Sequence, residues 1–117
     1  MQTYKDLQVW QKSMELTKLI YQCTATFPKS ELYGLVSQMR RAAVSIPSNI
    51  AEGYGRRNKK ENAQFVNIAY ASSLELETQL ILSQELQYIA DEQFQSVTNI
   101  LTDTQKLLYK YREYLKS

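Results

Sequence analysis

A chain of 117 residues with 44% hydrophobic and 22% charged side chains and a net charge of +2 has the make-up of one folded domain, neither a disordered tail nor a membrane protein. It contains no histidine, which excludes the Ser-His-Asp and Cys-His nucleophile systems, the HExxH zinc site and the Glu-x-x-His di-iron bundle. Its single cysteine, Cys23, has no partner for an internal disulfide or a CxxC pair, as fits a reducing cytoplasm.

The first segment has an N-cap at Asp6 and stops at Phe27-Pro28, because a residue before proline is pushed out of the helical region. Two apolar lines run along it at steps of three and four. One is Leu7, Trp10, Met14, Thr17 and Tyr21; the other is Val9, Ser13, Leu16, Ile20, Cys23 and Phe27. Together they form an arc wider than one neighbouring helix covers. Residues 1–12 have no apolar run behind a basic start, so no secretory signal is expected. No stretch reaches the roughly 18 apolar residues of a membrane span.

The second segment opens at Ser30 as N-cap and carries Leu32, Leu35, Val36, Met39, Ala43, Ile46 and Ile50 on one face. Pro47 interrupts it without breaking the apolar line. The lost amide bond to the Ala43 carbonyl predicts a kink there, with Ser45, Ser48 and Asn49 satisfying the freed groups locally. Gly53 and Gly55 end the helix. The third segment starts after Asn58 and runs to about Ile89, with Phe65, Ala69, Ser72, Leu76, Gln79 and Ser83 on one line and Leu74, Ile81 and Tyr88 on a second. The fourth opens at Asp91 as N-cap, places Phe94, Val97, Leu101, Thr104, Leu108, Tyr111 and Leu115 in register, and is flanked by Ile100, Leu107 and Tyr114. Three glycines and two prolines in the whole chain leave few turns. The expected fold is therefore all-α: a single domain over residues 1–117, built as a left-turning antiparallel up-down-up-down four-helix bundle with its second helix kinked at Pro47. Its expected core is Leu7, Trp10, Met39, Ile46, Phe65, Leu76, Val97, Leu101 and Leu108. The first and fourth helices are expected to carry apolar surface beyond what the bundle covers, which points to an oligomer.

Charge is segregated along the chain, at +2 over residues 1–30, +4 over 31–60, −7 over 61–105 and +3 over 106–117. The densest basic run is Arg56, Arg57, Lys59 and Lys60, beside Tyr54 in the loop between the second and third helices. Such cations neutralise phosphates and such a tyrosine stacks on an unpaired base, the physics of sequence-tolerant nucleic-acid binding. The competing reading is a solvated loop that keeps the protein soluble. Arg40 and Arg41 join this candidate site only if they project to the same end. Glu75 and Glu77 diverge by roughly 160° on a helix and share no catalytic or metal site, so no metal or cofactor is expected; a pairing with Arg40 or Arg41 is. Asn49 and Glu52 are expected to bond the kinked helix and its exit turn. Nine tyrosines against three phenylalanines suit interfaces that are half apolar and half wet.

The second helix carries Gly34-Leu35, Gln38-Met39-Arg40-Arg41-Ala42-Ala43 and Ser45-Ile46-Pro47-Ser48-Asn49-Ile50-Ala51-Glu52-Gly53, followed by Gly55-Arg56. With Asp6-Leu7-Gln8-Val9-Trp10-Gln11-Lys12 at the front and Glu75-Leu76-Glu77-Thr78-Gln79-Leu80 in the third helix, this resembles the family of small four-helix-bundle proteins encoded in intervening sequences of bacterial 23S ribosomal RNA genes. The resemblance covers most of residues 6–86. It departs at Ala71, where the family has glycine ahead of its serine. The family is in turn similar to a pentameric, basic accessory protein of diversity-generating retroelements that associates with a reverse transcriptase and nucleic acid. The resemblance implies a homopentamer and RNA or DNA as a ligand, without supplying an activity. The resulting expectation is a cytoplasmic, non-enzymatic nucleic-acid-associated oligomer using Tyr54, Arg56, Arg57, Lys59, Lys60, Arg40 and Arg41. The alternative is an adaptor that docks a larger protein partner such as a reverse transcriptase or nuclease.

Overall fold

All four expected segments are helices. The computed structural model describes residues 3–117 and contains α1 (Gln8–Thr24), α2 (Ser37–Tyr54), α3 (Lys59–Glu85) and α4 (Asp91–Lys116), with no strand among the described residues. Met1 and Gln2, part of the opening stretch read for a signal, lie outside the described residues. Helix α1 packs on α2 and α4, and α3 packs on the same two, so the four helices form a square. At one end the Phe27 and Tyr88 rings meet at 5.6 Å and the Tyr88 hydroxyl donates to Glu31 at 2.9 Å, which joins the α1–α2 and α3–α4 connections. At the other end Leu7, Tyr54, Lys59 and Tyr114 line one groove. This is the up-down-up-down arrangement. The molecule measures 43 × 25 × 21 Å, its long dimension matching the roughly 40 Å of the 27-residue α3.

The core contains Leu16, Ile20, Ile50, Val66 and Leu80 together with the expected Leu7, Met39, Ile46, Leu76, Val97, Leu101 and Leu108. Trp10 and Phe65 were expected inside and are only half-buried. Trp10 stands edge-on to Tyr4 at the rim, and Phe65 carries the Arg56 guanidinium over its ring at 4.5 Å. The excess apolar surface differs in part from its expected place. Tyr21 of α1 and Tyr109 and Tyr114 of α4 are exposed, but Ile100 and Leu107 of α4 pack against the core, while Leu74 and Ile81 of α3 are exposed with Ile68, Leu82 and Leu86.

Three helix ends differ from their expected caps because side-chain geometry decides between neighbouring candidates. Asp6 closes a capping box with Thr3 in a 3₁₀ turn (Tyr4–Asp6), and α1 starts from extended Leu7. Glu31 takes the place of Ser30: its Oε1 accepts from the Leu35 amide at 3.3 Å ahead of a π turn (Leu32–Val36) that leads into α2. Helix α4 begins from Ala90, with Asp91 in its first turn. Asn58 does cap α3, its Oδ1 accepting from the Glu61 amide at 2.9 Å. Helix α1 ends at Thr24, ahead of Phe27-Pro28, and α3 ends at Glu85 rather than near Ile89, where Gln87 turns left-handed (φ 63). The Gln87 amide donates to the Gln84 carbonyl and the Tyr88 amide to the Ser83 carbonyl, the paired bonds of a Schellman stop.

Helix α2 continues through Pro47, and its freed carbonyl is satisfied from outside the helix. The Thr17 hydroxyl of α1 donates to the Ala43 oxygen at 3.1 Å as well as to Ser13 of its own helix at 2.8 Å. Of the local groups expected there, Asn49 Nδ2 serves the Ser45 carbonyl and hydroxyl at 2.8 and 3.0 Å.

Gly55 caps α2, whereas Gly53 lies buried inside it where α2 and α3 converge. A Cβ on Gly53 would stand 2.6 Å from Asn62 Oδ1, 2.9 Å from Phe65 Cβ and 3.0 Å from the Asn62 carbonyl oxygen. Gly53→Ala is therefore expected to destabilise by roughly 1 to 3 kcal/mol despite the better helix propensity of alanine. A Cβ on Gly55 would make only ordinary van der Waals contact, the nearest at 3.6 Å from the Glu52 carbonyl oxygen, and Gly55→Ala is expected to be neutral or mildly stabilising. Urea denaturation of the two variants tests this difference in sign.

Candidate nucleic-acid interface

The antiparallel topology collects charge at the helix ends. The end where α2 meets α3 and α4 terminates carries Arg56, Arg57, Lys59, Lys60, Lys110, Arg112 and Lys116 against Glu52, Glu61 and Glu113; the other carries Glu31, Glu85, Asp91 and Glu92 against Lys29, Arg40 and Arg41. The bundle is electrically polar along its length.

The basic end is organised around an open groove of about 680 Å³, lined by Leu7, Tyr54, Arg57, Lys59, Tyr111 and Tyr114 among others. The loop above it, residues 55–58, is short because both ends are capped: the Gly55 amide donates to the Ala51 carbonyl at 3.3 Å, and Asn58 caps α3. Of the four cations read from the sequence as loop residues, Arg56 and Arg57 lie in the loop and Lys59 and Lys60 form the first turn of α3, and the four differ in state. Arg56 pairs with Glu52 at 3.5 Å and lies over Phe65. Lys59 Nζ stands 4.6 Å above the Tyr114 ring. Arg57 and Lys60 are exposed and make no ion pair among the described residues.

Tyr54, the base-stacking candidate, is half-buried. The more available ring is Tyr114, 59% exposed and stacked on Tyr111 at 6.3 Å with their planes 13° apart. Tyr111 is fixed from beneath by Asn62, whose Nδ2 donates to its hydroxyl at 3.1 Å. Burial raises the Tyr111 pKa, the Asn62 bond opposing it, so the phenol stays neutral. Tyr114 was not singled out for the site because it lies far along the chain; the +3 charge of residues 106–117, interleaved with three tyrosines, was the available signal.

Arg40 and Arg41 do not belong to this end. Arg40 lies fourteen helical residues from Tyr54, roughly 21 Å along the axis. It clamps α1, its Nε donating to Thr24 Oγ1 at 3.0 Å and its Nη2 to the Tyr21 carbonyl at 3.3 Å, with the guanidinium 4.7 Å above the Tyr21 ring. Arg41 is exposed, with a 3.5 Å bond to Ser37. Neither pairs with Glu75 or Glu77 among the described residues. Glu75 accepts from Gln79 at 3.4 Å, and Glu77 from Gln105 of α4 at 3.1 Å. Glu52 pairs with Arg56 of the exit turn, as expected, while Asn49 bonds Ser45 within the helix. Burial pushes the Cys23 thiol up to about 11, so it stays protonated near neutral pH and is no nucleophile. Among the described residues no helix is long and apolar enough to cross a membrane.

The family model described as 23S rRNA-intervening sequence protein matches residues 5–110. The fold is similar to the 1.70 Å crystal structure of a protein of unknown function from the S23 ribosomal protein family of Bacteroides thetaiotaomicron VPI-5482. The TM-score is 0.78 and the identity 28%, over 87% of this chain and 95% of that one. No curated protein matches the chain.

Proposed function

This chain belongs to the 23S rRNA-intervening sequence protein family, and from that premise we propose that it is a non-enzymatic, homo-oligomeric protein of the cytoplasm that associates with nucleic acid through its basic end. The observation that carries the reading is the groove beneath residues 55–58, where Arg57, which makes no ion pair among the described residues, and Lys59 line the same opening as the stacked rings of Tyr111 and Tyr114, with the exposed Lys60 next in the chain. Cations engage phosphates and an exposed ring accepts an unpaired base, so the ligand is single-stranded RNA or DNA bound with little sequence preference.

Assembly follows from two dissimilar apolar surfaces. One, on the α1–α2 side, presents Tyr21, Leu32, Tyr33 and Val44; the other, on α3 and its C-cap, presents Ile68, Leu74, Ile81, Leu82 and Leu86. Unlike patches that meet head to tail close into a ring, and the family resemblance sets the number at five. Light scattering is expected to give about five times 13.6 kDa; a monomer mass at micromolar concentration refutes the ring.

The binding test is fluorescence anisotropy of a labelled oligouridylate from about 50 mM salt upward, with log affinity expected to fall by about 0.7 per log unit of salt for each single-strand phosphate contacted. No retention at the lowest salt refutes the reading. The adaptor reading then takes its place, favoured by Tyr33, which is 94% exposed on the α1–α2 side where a protein partner would meet it.

A further inference from the structure

We propose that the outer face of α4 is a second nucleic-acid contact, a stacking and phosphate-binding track formed by Lys106, Tyr109 and Lys110 on a base supplied by Tyr70 and Arg112. This inference rests on the functional reading above and extends it to residues that the loop does not include. Lys106 and Lys110 are one turn apart on one side of α4 and make no ion pair among the described residues. The acids near them are Asp103, one turn earlier, Glu113, which is taken by Lys116 at 3.5 Å, and Glu77 of α3, which is taken by Gln105 at 3.1 Å. Between the lysines and α3 lies an open groove of about 560 Å³ lined by Tyr70, Thr102, Gln105, Lys106, Tyr109 and Lys110.

The groove has a braced aromatic wall. The Arg112 guanidinium lies 4.7 Å from the Tyr70 ring centre and 5.7 Å from that of Tyr109, and its Nη1 donates to Asn67 Oδ1 of α3 at 3.3 Å. Arg112 thereby holds Tyr109 upright while leaving it 52% exposed. Its buried Nε has no hydrogen-bond partner in the protein, so the guanidinium is fixed by packing on the rings and one side-chain bond. A tyrosine preset in this way loses little rotamer freedom when a base stacks on it. Two lysines about 6 Å apart along the axis provide phosphate contacts on the same side. The exposed aliphatic residues that favour self-association lie along α3 and on the α1–α2 side, whereas the large apolar groups exposed on α4 are the rings of Tyr109 and Tyr114, set among lysines, a combination that suits a ligand with both phosphates and bases.

The test compares wild type, Lys106→Gln/Lys110→Gln, Tyr109→Ala and Tyr109→Phe for oligouridylate and for heparin, a polyanion without bases. The double lysine variant is expected to lower the salt slope by about 0.7 per lysine in each engaged protomer and to weaken heparin as well. Tyr109→Ala is expected to weaken oligouridylate roughly 5- to 150-fold and leave heparin unchanged, while Tyr109→Phe binds both like wild type. If wild type binds oligouridylate and both the lysine variant and Tyr109→Ala bind it equally well, the α4 track is refuted and the loop site stands. If wild type binds none, the functional reading fails and takes this one with it. Equal loss of heparin and oligouridylate in Tyr109→Ala, or competition by polyglutamate as strong as by oligouridylate, also overturns the track, the latter in favour of an acidic protein segment.

Discussion

Exchanging Arg56, Arg57, Lys59 and Lys60 together for glutamine is expected to weaken oligouridylate binding at about 50 mM salt by one to three orders of magnitude and to flatten its salt dependence. The effect is unevenly divided. Arg57 and Lys60 have no ion-pair partner to give up among the described residues, so Arg57→Gln/Lys60→Gln is expected to reproduce most of the loss. Arg56 must leave Glu52 and Phe65 before it reaches a phosphate, and Lys59 must leave Tyr114, so their single variants cost less. Glu75→Gln, on the exposed side of α3, leaves the slope unchanged. Circular dichroism and light scattering should return wild-type helicity and mass for all of these, which separates lost contacts from lost structure. A quadruple variant that binds with the wild-type slope sinks the proposal that this loop meets phosphate.

Leu101→Ala is expected to cost roughly 2 to 5 kcal/mol, the largest effect on stability of any single truncation named here. Leu101 is 1% exposed, in the buried line of α4 between Val97 and Leu108, where the surrounding helices leave a cavity little room to collapse. Truncation of Trp10, at the half-open edge beside Tyr4, removes a larger side chain and is expected to cost less than full burial would imply. Guanidinium melts of the two variants check the order; a Leu101→Ala loss below about 1 kcal/mol contradicts its place in the core.

The helices were legible because their buried lines repeat at three and four, and Leu16, Ile20, Met39, Leu76, Leu101 and Leu108 fall on those lines. Their ends were less so. Asp6 and Ser30 have the right chemistry for caps, but Thr3 and Glu31 have the geometry, a difference set by backbone angles that composition does not carry. The end of α3 was missed for a related reason: its left-handed stop uses Gln87 where glycine would have announced it. Leu74 and Ile81 repeat at a buried spacing yet face outward, because periodicity gives a stripe without saying which stripe is covered. In the candidate site, residues 54–60 were legible as a contiguous basic run. Whether Arg40 and Arg41 project to the same end was not legible, because their distance from the loop depends on how far α2 runs beyond Pro47, and Tyr114 was missed because only the return of α4 brings it to the loop.

The hydroxyl of Thr17 that reaches across to the Ala43 carbonyl has a further effect on the molecule as a whole. Apolar ridges resist separation of two helices but tolerate small sliding, whereas one hydrogen bond to one chosen oxygen has a single register. Because only the proline at position 47 leaves that oxygen vacant, donor and acceptor select each other, and the pair works as a dowel between α1 and α2. The two helices that present Tyr21 and Val44, with Leu32 and Tyr33 in the π turn leading into α2, are thus locked in axial alignment before any second copy arrives. A ring built on that surface would inherit its rise per subunit from this bond, and closure rather than an open spiral requires that rise to be zero.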